Sequence, residues 1–383
     1  MKKIYIQHRA DGFVTALAEN GKLIELIRDY DDGQNAFVAG NIYAGVVKQI
    51  NTGFLFLDVG LERQAFLDTR DARERGLFDD HKLAVKQGDT LVVQVLRDAV
   101  GEKGPTVTSC VSFTGRYVVM SKSNGFDRIN ISRKITDAAE NVRLKSLGER
   151  LVPQGFSAIM RSASENRDED NIVVDLQQVM LKFEQCDHWQ YAKGPAALFA
   201  ESSIIKTLHE IVGDDIDEIV VDDLEAVQLF EGLALNIRHY NEDVPIFEGV
   251  FLKAQIDKLR DKRVWLKSGG FIVIEQTEAC IVIDVNSGKL IAKKGDAALK
   301  VNMEAAKEIA YQARLRNLAG IIIVDFIAMR SAEDANSLTD FLRAEMAKDR
   351  IPATVVGMTA LGLMEITRKR TRNSSGNFGK AVI

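Results

Sequence analysis

Two aspartates stand at the ends of apolar runs in the last third of the chain. "IVIDVNSGK" (281–289) carries Asp284 and Asn286, and "GIIIVDFIAM" (320–329) carries Asp325. Because side chains alternate along a strand, Asp284 and Asn286 are predicted to share one face. Two carboxylates and an amide oxygen at one point suit Mg²⁺, a hard cation that prefers oxygen ligands. The alternative interpretation is that these aspartates only cap helices or end strands.

A strand–helix–strand unit is predicted to position these residues. The strand ending near Asp284 is followed by a long helical segment, 296–317, and then by the strand ending at Asp325. This order implies a parallel pair of strands, and ligands bind at the carboxyl edge of such sheets. Ser331 and Asp334 have the spacing of a capping box for the next helix, and Thr136 is placed to cap an earlier one.

The first third of the chain is rich in strand and turn signals. Asp11-Gly12 and Asn20-Gly21 predict tight hairpins. About five short strands with Gly-rich joints follow, between residues 37 and 120, and they fit a small barrel of the OB type. Phe54, Phe56 and Phe66 lie on these strands, where they either stack bases of single-stranded nucleic acid or fill the core.

The composition limits the location and the partners of the chain. The net charge is −5, so any polyanion must be met by local basic patches. "EITRKRTRNSSG" supplies one candidate patch, with a solvated charged tail as the alternative; its basic residues are Arg368, Lys369, Arg370 and Arg372. The apolar runs are too short to span a bilayer, and the three cysteines are unclustered, which suits a reducing cytoplasm.

Long stretches of the chain resemble the ribonuclease E/G family of bacterial endoribonucleases. "IVIDVNSGK" and "IIIVDFIAM" look like its catalytic signatures, and "VWLKSGGFIVIEQTEA" looks like the approach to its active site. "NIYAGVVKQINTGFLFLDVGLERQAFL" looks like its RNA-binding OB-fold, while "ISRKI" and "GFSAIMRSA" look like its 5′-end sensor. The resemblance runs in order over residues 1–373.

The resemblance implies a role for each matching residue of the catalytic signatures. Asp284 and Asp325 match the two magnesium-ligating aspartates of the family, and Asn286 matches the asparagine that orients them. The implied cofactor is Mg²⁺, with Mn²⁺ as the other metal that such a site accepts.

The resemblance also implies two RNA-contact sites. The OB-fold positions that hold RNA near the scissile bond are Phe56, Phe66 and Lys103. Arg161 and Ser162 match the pair that receives the 5′-terminal monophosphate. The family has Thr at the second position, and Ser keeps its hydroxyl.

The implied fold is a multidomain α/β (α+β) arrangement. An RNase H-like subdomain, with an inserted OB-fold barrel and 5′-sensor, precedes a DNase I-like α/β catalytic subdomain. The expected boundaries are 1–35 and 197–264 for the RNase H-like part, 36–120 for the OB-fold, 121–196 for the sensor and 265–383 for the catalytic part.

One departure from the family pattern concerns zinc. Family members usually continue past the arginine-rich stretch into a paired-cysteine zinc link and a small dimerisation domain. Here no cysteine follows Cys280, so we expect no structural zinc, and any homo-oligomer is expected to form without a zinc bridge.

These features predict a Mg²⁺-dependent endoribonuclease that cleaves single-stranded RNA to 5′-phosphate and 3′-hydroxyl ends. The alternative is a non-catalytic RNA-binding protein that retains the ribonuclease E/G fold. Keeping Asp284, Asn286 and Asp325 argues for the enzyme, because grouped carboxylates repel one another without a cation.

Overall fold

The chain forms two compact units. The computed structural model describes residues 1–30, 39–70, 78–79, 82–83, 85–97, 104–122, 128–200, 202–213, 215–230, 236–288, 297–329 and 331–370. The first unit combines Met1–Tyr30 with Asp214–Ile383, and the second is Asp31–Gly213. None of the described helices is both long enough and apolar enough to cross a membrane.

The strands, in chain order, are β1 (Lys2–Arg9), β2 (Gly12–Glu19), β3 (Lys22–Tyr30), β4 (Ile42–Asn51), β5 (Phe54–Asp58), β6 (Ala65–Asp68), β7 (Phe78–Asp79), β8 (Lys82–Leu83), β9 (Thr90–Arg97), β10 (Thr106–Thr108), β11 (Ser112–Thr114), β12 (Val118–Lys122), β13 (Ile129–Ile131), β14 (Phe156–Met160), β15 (Ala196–Phe199), β16 (Glu218–Val221), β17 (Ile237–His239), β18 (Arg263–Trp265), β19 (Phe271–Gln276), β20 (Cys280–Asn286), β21 (Gly320–Asp325), β22 (Ala353–Met358) and β23 (Met364–Arg368). The α-helices are α1 (Ala138–Leu151), α2 (Glu169–Gln185), α3 (Ser203–Ile211), α4 (Leu224–Phe230), α5 (Ile246–Gly249), α6 (Lys253–Asp257), α7 (Ala297–Leu315) and α8 (Ala332–Met346).

The first unit contains a five-stranded mixed sheet in the order β17-β16-β1-β2-β3. β1, β2 and β3 form consecutive antiparallel hairpins, while β16 and β17 run parallel to β1. Asn20 and Gly21 both have positive φ, the conformation of a tight hairpin turn. The hairpins predicted from Asp11-Gly12 and Asn20-Gly21 are therefore confirmed.

The other sheet of this unit positions the carboxylates. It has six strands in the order β18-β19-β20-β21-β23-β22, in which only the β20–β21 neighbours are parallel. α7 joins β20 to β21, so the predicted strand–helix–strand unit is confirmed. α7 and α8 contribute to one core with the sheet through residues such as Ala305, Ile309, Leu338 and Leu342.

The second unit contains a closed barrel of five strands, β4-β5-β6-β10-β9, completed by pairing between β4 and β9. Its core is aliphatic and includes Val47, Leu55, Leu57, Leu67 and Val93. Closure leaves no free edge among these strands. The small OB-like barrel predicted from the strand pattern is confirmed.

The second unit also contains a four-stranded sheet, β11-β12-β14-β13, with α1 and α2 in the same core. The predicted cap of α1 is wrong by one residue. Asp137, rather than Thr136, is the N-cap, and its Oδ1 accepts hydrogen bonds from the amides of Ala139 and Glu140 at 2.7 and 3.1 Å. The carboxylate accepts hydrogen bonds from two amides that have no partner within the helix, and its negative charge complements the positive end of the helix dipole.

Candidate functional site

Asp284 and Asp325 lie side by side at the ends of two parallel strands. They are register partners in the β20–β21 pair, and both side chains are exposed. Neighbouring strands lie about 4.8 Å apart, so the two carboxylates project from adjacent points of one sheet face. The sequence placed both aspartates at a common edge, and the structure brings them together there.

Asn286 joins this pair from the same strand. Its Nδ2 donates a hydrogen bond of 2.7 Å to Asp284 Oδ2, and the residue is half-buried. The bond fixes one carboxylate oxygen of Asp284 relative to the sheet. The predicted common face of Asp284 and Asn286 is confirmed.

The alternation along the strands explains why these polar groups reach the surface. Ile281, Ile283 and Val285 point from β20 into the core beneath α7 and α8. The intervening positions of β20, including Asp284, face away from that core. The sheet is thus apolar on its helix-covered face and carries the carboxylates on the opposite one.

Two positioning residues on α7 were missed by sequence reasoning. Asn302 is fully buried; its Nδ2 donates to Ile327 O at 2.8 Å, and its Oδ1 accepts from Ile327 N at 3.0 Å. This pair of bonds fixes the backbone two residues after Asp325. Both carboxylate oxygens of Glu304 accept a hydrogen bond from the backbone amide of Ser268 at 3.2 Å. Ser268 lies in the connection between β18 and β19. An Asn inside an apolar helix stripe was the available signal for Asn302.

The donor set fits a hard divalent cation. Within the described ranges, no three His, Cys, Asp or Glu side chains gather as a metal-binding group. The site instead offers two carboxylates beside an amide, and Mg²⁺ is commonly held by one or two carboxylates with water and substrate oxygens. Mn²⁺ accepts the same oxygen ligands. Four-ligand zinc sites need more nitrogen or sulfur donors than this group contains.

The basic stretch after β23 divides into buried and exposed parts. Arg368 is 2% exposed, and its Nε donates to Asp349 Oδ2 at 2.8 Å. Its Nη1 donates to Asn317 Oδ1 at 2.9 Å and to Leu318 O at 2.8 Å. The prediction that Arg368 contacts phosphate is therefore wrong, because β23 alternation turns this side chain inward with Ile366.

The other basic residues of this stretch are Lys369, Arg370 and Arg372. Lys369 and Arg370 are exposed and remain candidate phosphate contacts. Arg372 lies outside the described residues.

Three phenylalanines form a cluster on the outer face of the barrel. Phe54 is 5.4 Å from both Phe56 and Phe66 between ring centroids, and Phe56 is 6.1 Å from Phe66. All three are half-buried, and they alternate with the buried leucines of β5 and β6. They are thus absent from the barrel core, which leaves the cluster accessible on the surface. Lys103, the predicted companion of this cluster, lies outside the described residues.

Arg161 follows β14 and is held against a neighbouring loop. Its Nη1 donates to the carbonyl oxygens of Gly115 and Arg116 at 2.6 and 3.2 Å. Burial lowers the pKa of the Arg161 guanidinium, and the nearby Asp175 carboxylate opposes this shift. Ser162 is exposed and begins the next 3-10 turn.

Asp175 on α2 organises the loop that Arg161 contacts. Its carboxylate accepts three consecutive amides, from Arg116, Tyr117 and Val118, at 2.7, 2.8 and 3.0 Å. A Cβ on Gly115 would lie 2.4 Å from Asp175 Oδ2, so the close approach requires glycine. Sequence reasoning did not identify Asp175, because nothing in the helix pattern distinguishes it from a solvated residue.

The nearby acidic stretch 168–170 forms no ion pair with Arg161 in the described part of the chain. Glu169 pairs with Arg150 instead. Arg161 is therefore oriented by backbone carbonyls.

Taken together, the described residues define a mixed α/β protein with an OB-like barrel and a separate sheet that carries a paired-carboxylate site. A family model for the ribonuclease E/G family matches residues 112–371. The chain belongs to the ribonuclease E/G family.

Several curated proteins show the same relationship over most of the chain. Ribonuclease G of Escherichia coli (strain K12) is 32% identical over 367 residues, covering 88% of this chain and 74% of that protein. Ribonuclease G of Haemophilus influenzae is 32% identical over 389 residues, covering 94% and 77%. Ribonuclease E of Nostoc sp. is 34% identical over 355 residues, covering 86% of this chain and 51% of that protein.

Proposed function

We propose that this protein is a Mg²⁺-dependent endoribonuclease of RNA processing or decay. It cleaves single-stranded RNA and leaves 5′-phosphate and 3′-hydroxyl ends. The observation that carries the proposal is the register of Asp284 with Asp325 on an exposed sheet face, in a chain of the ribonuclease E/G family. A carboxylate pair of this kind is costly to keep without a cation.

Asp284 and Asp325 would hold the metal, and Asn286 keeps Asp284 oriented through its 2.7 Å hydrogen bond. When bound, the metal supplies an activated water and neutralises charge on the scissile phosphate. Among the described residues, Asp284 and Asp325 are exposed on this sheet face, as contact with an extended strand of RNA requires. Asn302 stabilises the segment after Asp325 and so keeps that strand end in place.

Further RNA contacts are assigned to both units. In the second unit, the Phe54–Phe56–Phe66 cluster supplies rings on which bases stack, together with Lys103. In the first unit, Lys369 and Arg370 supply positive charge for backbone phosphates. Arg161 and Ser162 receive a 5′-terminal monophosphate, with the guanidinium held by the loop carbonyls.

The proposal also assigns subdomains. Residues 1–35 and 197–264 form an RNase H-like part, 36–120 the OB-fold, 121–196 the 5′-sensor and 265–383 a DNase I-like catalytic part. The order β17-β16-β1-β2-β3 and the six-stranded sheet with its parallel central pair support the first and last of these.

A cleavage assay tests the proposed function. End-labelled single-stranded RNA is incubated with Mg²⁺, with Mn²⁺ or with EDTA, beside the same sequence as a duplex. The proposal predicts internal cuts of the single strand with either metal, none with EDTA and far fewer in the duplex. Product ends are then mapped by phosphatase and ligase treatment. Binding without cleavage in every metal would favour the alternative, a non-catalytic RNA-binding protein.

A further inference from the structure

An exposed aromatic group stands next to the carboxylate site. Trp265, at the end of β18, is 63% exposed. Its ring meets Phe271 of β19 in an edge-to-face contact with centroids 5.2 Å apart. The guanidinium of Arg263 lies 4.5 Å from the Phe271 centroid and 5.8 Å from that of Trp265. The three side chains thus form one exposed group with a flat aromatic surface and an adjacent positive charge, which a ligand can contact.

The strand register places this group on the same sheet face as the catalytic residues. Trp265 pairs with Phe271, and Phe271 pairs with Asn286 of β20. Register partners in antiparallel strands present their side chains on the same face. Trp265, Phe271 and Asn286 therefore form one row across three strands.

A second row of register partners lies two residues away from the first along each strand. Arg263 pairs with Val273, Val273 pairs with Asp284, and Asp284 pairs with Asp325. β18 is two strands from β20, so Trp265 is about 10 Å across the sheet from the carboxylate strand. This separation lets one strand of RNA reach both sites.

The chemistry of the group fits an unpaired nucleobase. A base stacks on an indole regardless of its sequence, and a guanidinium adds cation–π attraction and charge for the neighbouring phosphate. Among the described residues, Arg263 forms no ion pair with a carboxylate, so its charge is not neutralised by such a partner. Phe271 is half-buried under Trp265 and Arg263 and supports the exposed ring.

We propose that Trp265, supported by Phe271 and Arg263, is a stacking site for a base of the RNA substrate close to the scissile phosphate. The proposal rests on the proposed function of Asp284 and Asp325. It adds a reason for single-strand selectivity, because a paired base in a duplex cannot present its face to the indole.

Tryptophan fluorescence tests the stacking site without any cleavage step. The chain has two tryptophans, and the other, Trp189, is buried. In an Asp284→Asn background, Trp189→Phe leaves Trp265 as the sole tryptophan, whose emission is selected by excitation beyond the tyrosine band. Adding a single-stranded oligoribonucleotide that the wild type cuts should quench this emission. A series with one abasic position should lose the quenching at one site near the cut. Should Trp189→Phe fail to fold, subtracting the signal of Trp265→Phe from the two-tryptophan protein gives the same comparison.

Affinity measurements complete the test. Trp265→Ala should weaken RNA binding about 5- to 150-fold, the range for losing one stacked base, and Trp265→Tyr should restore most of it. Phe251→Ala removes another aromatic of the same unit, 85% exposed, and should leave affinity unchanged. Unquenched Trp265 emission with bound RNA, or wild-type affinity in Trp265→Ala, would overturn the stacking site.

Two further outcomes separate competing explanations. If Trp265→Ala lowers the molar mass in light scattering, the ring belongs to an interface between copies of this chain and the proposal is wrong. If Asp284→Asn cuts RNA as fast as the wild type, the proposed catalytic role fails, and the fluorescence result still decides the stacking site by itself.

Discussion

At the residue scale, local chemistry separates surface aromatics from core ones. The pattern of β5 and β6 shows Phe54, Phe56 and Phe66 on strands but cannot tell which face is inward, because Phe and Leu alternate there and both are apolar. The structure decides this, since the leucines between them fill the barrel. Arg368 is the opposite case. A run of basic residues predicts a solvent-exposed segment, yet the Arg368 side chain is buried.

Phe56→Ala and Phe66→Ala are each predicted to weaken binding of single-stranded RNA by about 1–3 kcal/mol, the cost of losing one stacked base. Fluorescence anisotropy measures the affinity, and thermal unfolding measures the remaining stability. Tyr191→Ala, which removes an exposed aromatic of the same unit, serves as the matched control.

Leu57→Ala provides the opposite comparison, because this leucine is fully buried in the barrel. It should lose about 2–5 kcal/mol of stability. If the phenylalanine variants unfold as Leu57→Ala does and bind RNA normally when folded, the cluster is structural only.

At the element scale, the strand–helix–strand unit was predictable and its surroundings were not. Runs of Ile and Val ending in Asp284 and Asp325 specify two strands, and the helix between them forces a parallel pair. The polar contacts that fix the ends of these elements are long-range. Asn302 bonds to Ile327 and Arg368 bonds to Asp349, and neither partner is visible from local periodicity. Helix caps depend on local sequence. The cap of α8 at Ser331 was therefore predicted correctly, and the predicted cap of α1 differs from the observed one by one residue.

Arg368→Ala is predicted to destabilise the first unit by about 3–5 kcal/mol, because it leaves the buried Asp349 carboxylate without its partner. Urea unfolding measures this loss. Lys369→Ala, at the exposed neighbouring position, should change stability by less than about 0.5 kcal/mol. It should instead reduce the salt dependence of RNA binding by about one phosphate contact. If Arg368→Ala instead kept the stability of the wild type and reduced the salt dependence of RNA binding, Arg368 would be a phosphate contact after all.

At the scale of the whole molecule, the chain divides its chemistry between two compact units. The carboxylate pair belongs to the first, and the barrel and Arg161 belong to the second. Sequence patterns predicted the barrel because its strands are short and joined by glycines. Periodicity alone does not show that residues 1–30 pair with a later part of the chain, because the β1–β16 pairing spans the intervening unit; only the family resemblance implied that arrangement.

This division predicts that 5′-end sensing and cleavage are separable. One RNA is compared with a 5′ monophosphate and with a 5′ hydroxyl. Wild type should cut the first faster, because the Arg161 guanidinium, oriented by two carbonyls, can bind the terminal phosphate. Arg161→Ala should lower that rate to the hydroxyl rate and leave the hydroxyl rate unchanged.

Arg150→Ala is the matched control, since Arg150 is an exposed arginine of the same unit in a surface ion pair. It should keep the preference for the monophosphate. Equal rates for the two RNAs in the wild type would show that this chain does not sense 5′ ends.

The most direct test of the metal-site assignment is single-turnover cleavage by Asp284→Asn and by Asp325→Asn in Mg²⁺, with RNA affinity measured on the same samples. Each variant keeps the side-chain shape and removes one negative charge from the pair. We expect the cleavage rate to fall by at least about 10²–10³-fold, the scale for losing one electrostatic stabiliser, with RNA affinity nearly unchanged. Cleavage at the wild-type rate by either variant would contradict the assignment of this pair as the metal-holding catalytic site.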